Sequence, residues 1–334
     1  MIRVAETRAS ARGPRLPGRV LSRTGVFLLT CASLVPFAGA TGEEPGDPVA
    51  RFRSFLPGYR AENRIQSFSV AVARDGEIVL AEGHGWQDHD AEEPTTAETT
   101  YLVASITKTF TAATLLRMAA EGHLSLEEDF TALSDWGERC ARLIDSGIIF
   151  GGATLEDGTV IEPPRCEEPI TLANVLHHRV NGEPGTGFLY NLVVLGRVSN
   201  YAEEKTERSL RDTIPRLVTR PAGLEDTAAG WRDTGRGHVL SRLAPPMMHT
   251  DREVDPDGLA HSPLPNPELN ASSGIIASAP DLVKYAIALL GDRVLSAELR
   301  ETMWTPPTDP DGEPAPYAYG PGGGRGVASS RASR

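Results

Sequence analysis

Between residues 67 and 120 the apolar pattern of the chain changes period, and that change limits the folds open to it. SFSVAVARDGEIVLAEGHGW (67–86) alternates in the strand manner on both sides of Asp75-Gly76. Asp-Gly between two such runs reads as a tight hairpin. An extended approach, TTAETTYLVAS, follows. Phe110, Ala113, Leu116 and Ala120 then recur at helical spacing, and Gly122 is a natural stop. A hairpin feeding a helix calls for a layered mixture of sheet and helix.

The middle of the chain reads as helical. LSLEEDFTAL returns to irregular structure, and residues 137–168 look like a loop-rich insertion. PITLANVLHHRV starts a helix with Thr171 at its N-cap. YNLVVLGRVSNYAEE reads as another, as does SLRDTIPRLVTRPAG apart from Pro215. Residues 245–269 are Pro-rich and expected to wrap the surface. Ser278 and Asp281 form a capping-box pattern before APDLVKYAIALLG, with Gly291 as the stop. The expected class is α/β (α+β), with an antiparallel sheet formed by both chain ends and a helical region inserted between them. The late strands are not legible. After PYAYG the chain runs into PGGGRGVASSRASR, which has no apolar pattern, so the C-terminal strands are expected to be missing.

The chain has 334 residues, 40% of them hydrophobic, and a formal net charge of −12. No basic stripe lies outside the N-terminal leader, which argues against nucleic-acid binding. No apolar run reaches the roughly 20 residues of a membrane span. In the leader, arginines up to Arg23 precede GVFLLTCASLVPFAGA, which ends Ala38-Gly39-Ala40. That order marks a secretory signal cleaved after about Ala40, against the alternative of a buried helix. Residues 1–40 are thus read as signal, 41–320 as one domain and 321–334 as a Gly/Ser/Arg tail, with a periplasmic or secreted destination. Cleavage would leave Cys140 and Cys166. A disulfide between them is the default in an oxidising compartment, and two free buried thiols are the alternative.

Ser105 and Lys108 stand three apart at the front of the first helix, on one face. Only three lysines occur, Lys108, Lys205 and Lys284. A hydroxyl beside an amine is one way to activate a serine nucleophile. His84, Asp88, His89 and Asp90 could be taken for a metal cluster, but they match no zinc spacing and sit where a polar loop is expected. His177 and His178 read as structural residues at a helix end. No G-x-S-x-G occurs, so an α/β-hydrolase elbow is not supported.

Several segments in order resemble the serine β-lactamase and penicillin-binding-protein-like family, in its class C and esterase-like branch. Tyr101 to Phe130 resembles the nucleophile helix; ITLANVLHHRVNGEPGTGFLYN resembles the segment that carries the second motif. RPAGLEDTAAGW, LNASSGIIASAPDLVKYAIALL, MWTPP and PYAYG resemble later core segments. The resemblance implies that Ser105 is acylated, that Lys108 is its base or proton shuttle, and that Tyr190 relays the proton. Asn191 would bind substrate, one place earlier than in the usual Tyr-x-Asn, as in a Tyr-Asn-Gly sub-branch whose glycine is Leu192 here. No counterpart of the third motif, Lys or His-x-Gly, follows PYAYG, and a truncation or frame slip is expected near Gly320. The implied function is an exported serine hydrolase acting on β-lactams, D-Ala-type peptides or small esters. The alternative is a non-catalytic or truncated member that at most binds cell-wall peptides. Neither metal nor organic cofactor is implied, and the only partner implied is a small-molecule or peptide substrate.

Overall fold

The computed structural model of the chain describes residues 46–88, 92–145, 160–249, 259–262, 268–308 and 312–320. The signal, the tail, the truncation point beyond Gly320, and His89 and Asp90 lie outside the described residues.

Helix α1 (Pro48–Glu62) is capped by Asp47, whose carboxylate accepts from Val49 N, and starts on a proline whose missing N–H costs nothing there. Strands β1 (Ser67–Arg74) and β2 (Glu77–Asp88) pair antiparallel through Asp75-Gly76. Both turn residues are left-handed, with φ of 54° and 82°, as a two-residue turn matched to strand twist requires. Strand β3 (Glu93–Pro94) completes this sheet beside β2. Strand β4 (Thr100–Leu102) leads through a 3₁₀ turn, Ala104–Ile106, into helix α2 (Thr107–Ala120).

Helix α2 is buried on nearly every side. Phe110, Leu115, Leu116 and Met118 are all in the core, as are the polar Thr107, Thr111 and Thr114. The helical stripe expected from sequence understates this burial, because alanine and threonine fill the other faces. The threonines are satisfied: Thr111 Oγ1 donates to Ala271 O, Thr114 Oγ1 donates to Phe110 O, and Thr107 Oγ1 accepts from Ile275 N. Gly122 ends the helix at φ 76°, with Gly122 N bonding Ala119 O and His123 N bonding Met118 O.

The helical middle comprises α3 (Trp136–Asp145), α4 (Leu172–Leu176), α5 (Leu192–Gly196), α6 (Val198–Thr206), α7 (Leu210–Ile214) and α8 (Arg220–Ala222). Thr171 caps α4 in a reciprocal box with Asn174. YNLVVLGRVSNYAEE forms two helices that meet at Arg197. Pro215 does not break its segment. Without an N–H it opens a π turn, Pro215–Thr219, which closes when Arg220 N bonds Pro215 O. Cys140 on α3 and Cys166 are joined by a disulfide, with Cα atoms 5.8 Å apart.

Strand β5 (Thr227–Ala228), helix α9 (Gly237–Leu240), strands β6 (Met247–His249) and β7 (Leu259–His261), strand β8 (Ile276–Ser278) and helices α10 (Ala279–Leu290) and α11 (Ala297–Trp304) follow. The Pro-rich stretch carries the β6–β7 hairpin. Strand β8 lies between β4 and β5, pairing Thr100 with Ser278 and Thr227 with Ala277.

Among the described residues the sheet expected as one is divided into β1–β2–β3 and β4–β8–β5, with β6–β7 as a separate pair. Early and late chain meet in β4–β8, whereas β1, β2 and β3 form a sheet from the early chain alone among the described residues. Helix α10 packs against β1 and β2. One helix-end expectation is corrected and one is met. Asp281 gives its N–H to the Ser278 cap, but its carboxylate turns away to Asp226 N, Thr227 Oγ1 and Lys284 Nζ, so only half of a capping box forms. Gly291 ends α10 as expected, its N–H bonding Ile287 O at φ −98°, and the left-handed residue is the next one, Asp292, at φ 58°.

Candidate active site

Ser105 is exposed on the 3₁₀ turn, and Lys108 lies behind it in the first turn of α2, only 2% exposed. Three residues of helical rise bring the two together: Lys108 Nζ donates to Ser105 Oγ at 3.0 Å. The same amine donates to Ser272 O at 2.9 Å, across 164 residues of sequence. Residues 270–275 are shaped for this. Asn270 Oδ1 accepts from both Ser272 N and Ser272 Oγ, while Thr107 and Thr111 bind the backbone on either side of Ser272. Sequence reading did not find Ser272, Thr107 or Thr111. A face of α2 carrying Thr107, Lys108 and Thr111 was the available signal.

Ala104, the residue before Ser105, has φ 44°. A side chain in the left-handed region costs about 1–2 kcal/mol, and the sharp turn lifts Ser105 clear of the helix. The start of α2 adds a field that favours negative charge developing near Ser105.

The Tyr190 ring centroid lies 4.9 Å from Lys108 Nζ, so the three residues expected to act together are neighbours. Asn191 is placed differently. It is 2% exposed; its Oδ1 accepts from Val194 N at the start of α5, and its Nδ2 donates to Asn181 Oδ1 at 3.0 Å. The amide expected to contact substrate is here engaged as a helix cap. An asparagine just before the apolar run LVVL was the cap signal in the sequence.

His178 links these pieces. Its Nδ1 accepts from Asn191 N at 3.0 Å, and its ring lies 4.4 Å from the Tyr190 ring. Burial, then the nearby Lys108 charge, lowers its pKa to about 4. His177 is lowered to about 4 by burial, then by Arg179, and stacks on Tyr319 with centroids 3.9 Å apart. Both imidazoles are neutral at neutral pH, so neither supplies a second cation beside Lys108. His84 stacks on Phe68 and faces Glu82. Among the described residues no group of three His, Cys, Asp or Glu side chains is placed to hold a metal.

An exposed hydroxyl backed by a buried amine and a tyrosine ring is an arrangement for covalent acyl transfer. The family model for Beta-lactamase matches residues 52–331, most of the chain and past residue 320 into the segment read as a tail. The chain belongs to the beta-lactamase family. Esterase EstB of Burkholderia gladioli is 26% identical over 223 residues, covering 59% of this chain and 55% of that protein. A D-aminopeptidase of Brucella ovis is 26% identical over 271 residues, covering 75% of this chain and 48% of the relative. The chain thus spans about half the length of these curated relatives.

Among solved structures, a penicillin-binding protein homologue from Pyrococcus abyssi superposes with a TM-score of 0.61 at 21% identity, covering 82% of this chain and 64% of the other. D-amino acid amidase from Ochrobactrum anthropi SV3 superposes with a TM-score of 0.59 at 21% identity, covering 77% and 74%. At these identities the likeness is one of fold. The mixed α/β architecture of this beta-lactamase-family member is shared with both.

Proposed function

We propose that this family member is a serine hydrolase that forms an acyl-enzyme at Ser105. The observation that carries the reading is the 3.0 Å bond from the buried Lys108 amine to the exposed Ser105 hydroxyl. Ser105 Oγ bonds to the substrate carbonyl carbon, an unprotonated Lys108 amine takes the serine proton, and that proton passes by way of Tyr190 to the leaving group as its bond to the carbonyl carbon breaks. Water then releases the acyl group, its proton following the reverse route. Candidate substrates are small esters, D-Ala-type peptides or other D-amino-acid amides, and β-lactams. The names of the esterase and D-aminopeptidase relatives support the first two classes.

Hydrolysis of p-nitrophenyl acetate, a D-alanine anilide and a chromogenic cephalosporin checks the reading, with Ser105→Ala as control. Turnover of at least one, lost in Ser105→Ala, is expected. A folded chain that turns over none of the three contradicts it.

Export belongs to the same proposal and rests on the leader GVFLLTCASLVPFAGA, with the Cys140–Cys166 disulfide as support for an oxidising compartment. N-terminal sequencing of the mature protein is expected to begin near Thr41. A chain retained uncleaved inside the cell contradicts export.

A further inference from the structure

Aromatic rings continue outward from the catalytic amine. Tyr190, 4.9 Å from Lys108 Nζ, meets the Tyr317 ring at 5.9 Å and 70°. Tyr317 stacks on Phe188 at 6.0 Å and 24°, and Phe188 is 37% exposed. His178, uncharged at neutral pH, sits under all three rings, 4.4 Å from Tyr190, 4.8 Å from Tyr317 and 6.2 Å from Phe188.

Tyr317 is fixed to the nucleophile helix. Its hydroxyl donates to Gly320 O, and Gly320 lies so close to α2 that a Cβ there would stand 2.9 Å from Lys108 O and 3.2 Å from Ala112 Cβ. The array is therefore in register with Ser105.

Two exposed apolar side chains adjoin the site residues in sequence. Ile106 adjoins Ser105 at 45% exposure, and Leu192 follows Asn191 at 43% exposure. After Tyr190, the Asn191 amide is taken up by Asn181 and Val194 N, and Leu192 has an apolar side chain. Lys108 lies over the Tyr190 ring, and its amine is committed to Ser105 and Ser272.

We propose that Phe188, Tyr190 and Tyr317 form the acyl-side subsite, and that the hydrolase takes esters whose acyl group carries an uncharged aromatic ring. The inference rests on Ser105 being the acylated nucleophile. Ser105 Oγ bonds to the aryl-substituted acyl carbon, the ester C–O bond breaks, and the serine proton ends on the departing alcohol. A ring laid on Tyr317 and Phe188 loses water from its face and meets rings at stacking distance. An acyl group ending in a carboxylate would lose hydration against the Tyr317 and Phe188 rings.

The test is kcat/KM for p-nitrophenyl phenylacetate, p-nitrophenyl acetate and a p-nitrophenyl ester with a carboxylate-ended acyl chain. It is run on the wild-type chain and on Phe188→Ala, Tyr317→Leu and, as a remote exposed control, Phe55→Ala on α1. The expected order is phenylacetate, then acetate, then the charged ester. Phe188→Ala lowers the phenylacetate-to-acetate ratio roughly tenfold or more, and Phe55→Ala leaves the ratio alone. Because Phe188 is exposed, its loss does not threaten folding as a change at Tyr317 could. If both neutral esters acylate Ser105 while Phe188→Ala and Tyr317→Leu leave the ratio unchanged, the subsite is wrong and the nucleophile stands. If no ester acylates Ser105 in folded protein, the nucleophile reading falls and takes the subsite with it.

Discussion

Lys108 tolerates near-complete burial because its amine has two oxygen partners, Ser105 Oγ and Ser272 O. Lys108→Ala should lower kcat/KM by about 10²–10⁴. It also strands the Ser272 carbonyl, so the urea midpoint should fall by the equivalent of about 1–3 kcal/mol. Unchanged turnover would remove Lys108 from proton transfer. Asn191 behaves in the opposite way. Asn191→Ala deletes the α5 cap and the bond to Asn181, for an expected loss of about 1–2 kcal/mol. If Asn191 is a cap, KM changes little when substrate is titrated at a temperature where the variant is folded. A large KM rise with no stability loss would restore it as a substrate ligand. The difference between the two residues explains what could be read early. Ser105 and Lys108 meet because helical rise puts them together, which spacing alone reveals. The direction of the Asn191 amide depends on Asn181 and on how the chain re-enters at α5, which spacing does not carry.

At the scale of elements, features governed by local backbone chemistry were legible. The Asp75-Gly76 hairpin, the Thr171 cap and the Gly122 stop each need a particular residue at a particular φ or with a particular acceptor, and they formed where expected. Features decided across the chain were not. Strand β8 is three residues long, too short to show alternation, and exists because β4 and β5 flank it. The Asp281 carboxylate leaves the capping box because Asp226 N and Thr227 Oγ1 reach it from 55 and 54 residues away. The Cys140–Cys166 bond closes a separation of 26 residues around the insertion. Loop-closure entropy for that length corresponds to about 3.5 kcal/mol. Reduction, or Cys140→Ser with Cys166→Ser, should lower the unfolding free energy by up to that amount, measured by urea denaturation with and without reductant. Identical curves would mean the bond does not constrain the unfolded chain.

For the whole molecule, His177 and His178 give stability a pH dependence whose sign follows from burial. Each has its folded pKa lowered from 6.5 to about 4, so the unfolded chain binds more protons between those values. Stability from both is fully present above about pH 6.5 and is lost as pH falls toward 4, by on the order of 3 kcal/mol per histidine. Urea midpoints should fall from pH 7 to pH 4.5, and His177→Gln should flatten that fall. A wild-type midpoint that rises on acidification would contradict the buried neutral imidazoles. The fold holds Ser105 exposed in front of the buried Lys108 amine, where it is proposed to accept an acyl group. The most direct measurement is intact mass and peptide mapping after incubation with a fluorophosphonate active-serine probe. One adduct per chain, located on Ser105 and absent from folded Ser105→Ala, is the expected result. No adduct on a folded wild-type chain, or an adduct that persists in Ser105→Ala, would contradict it.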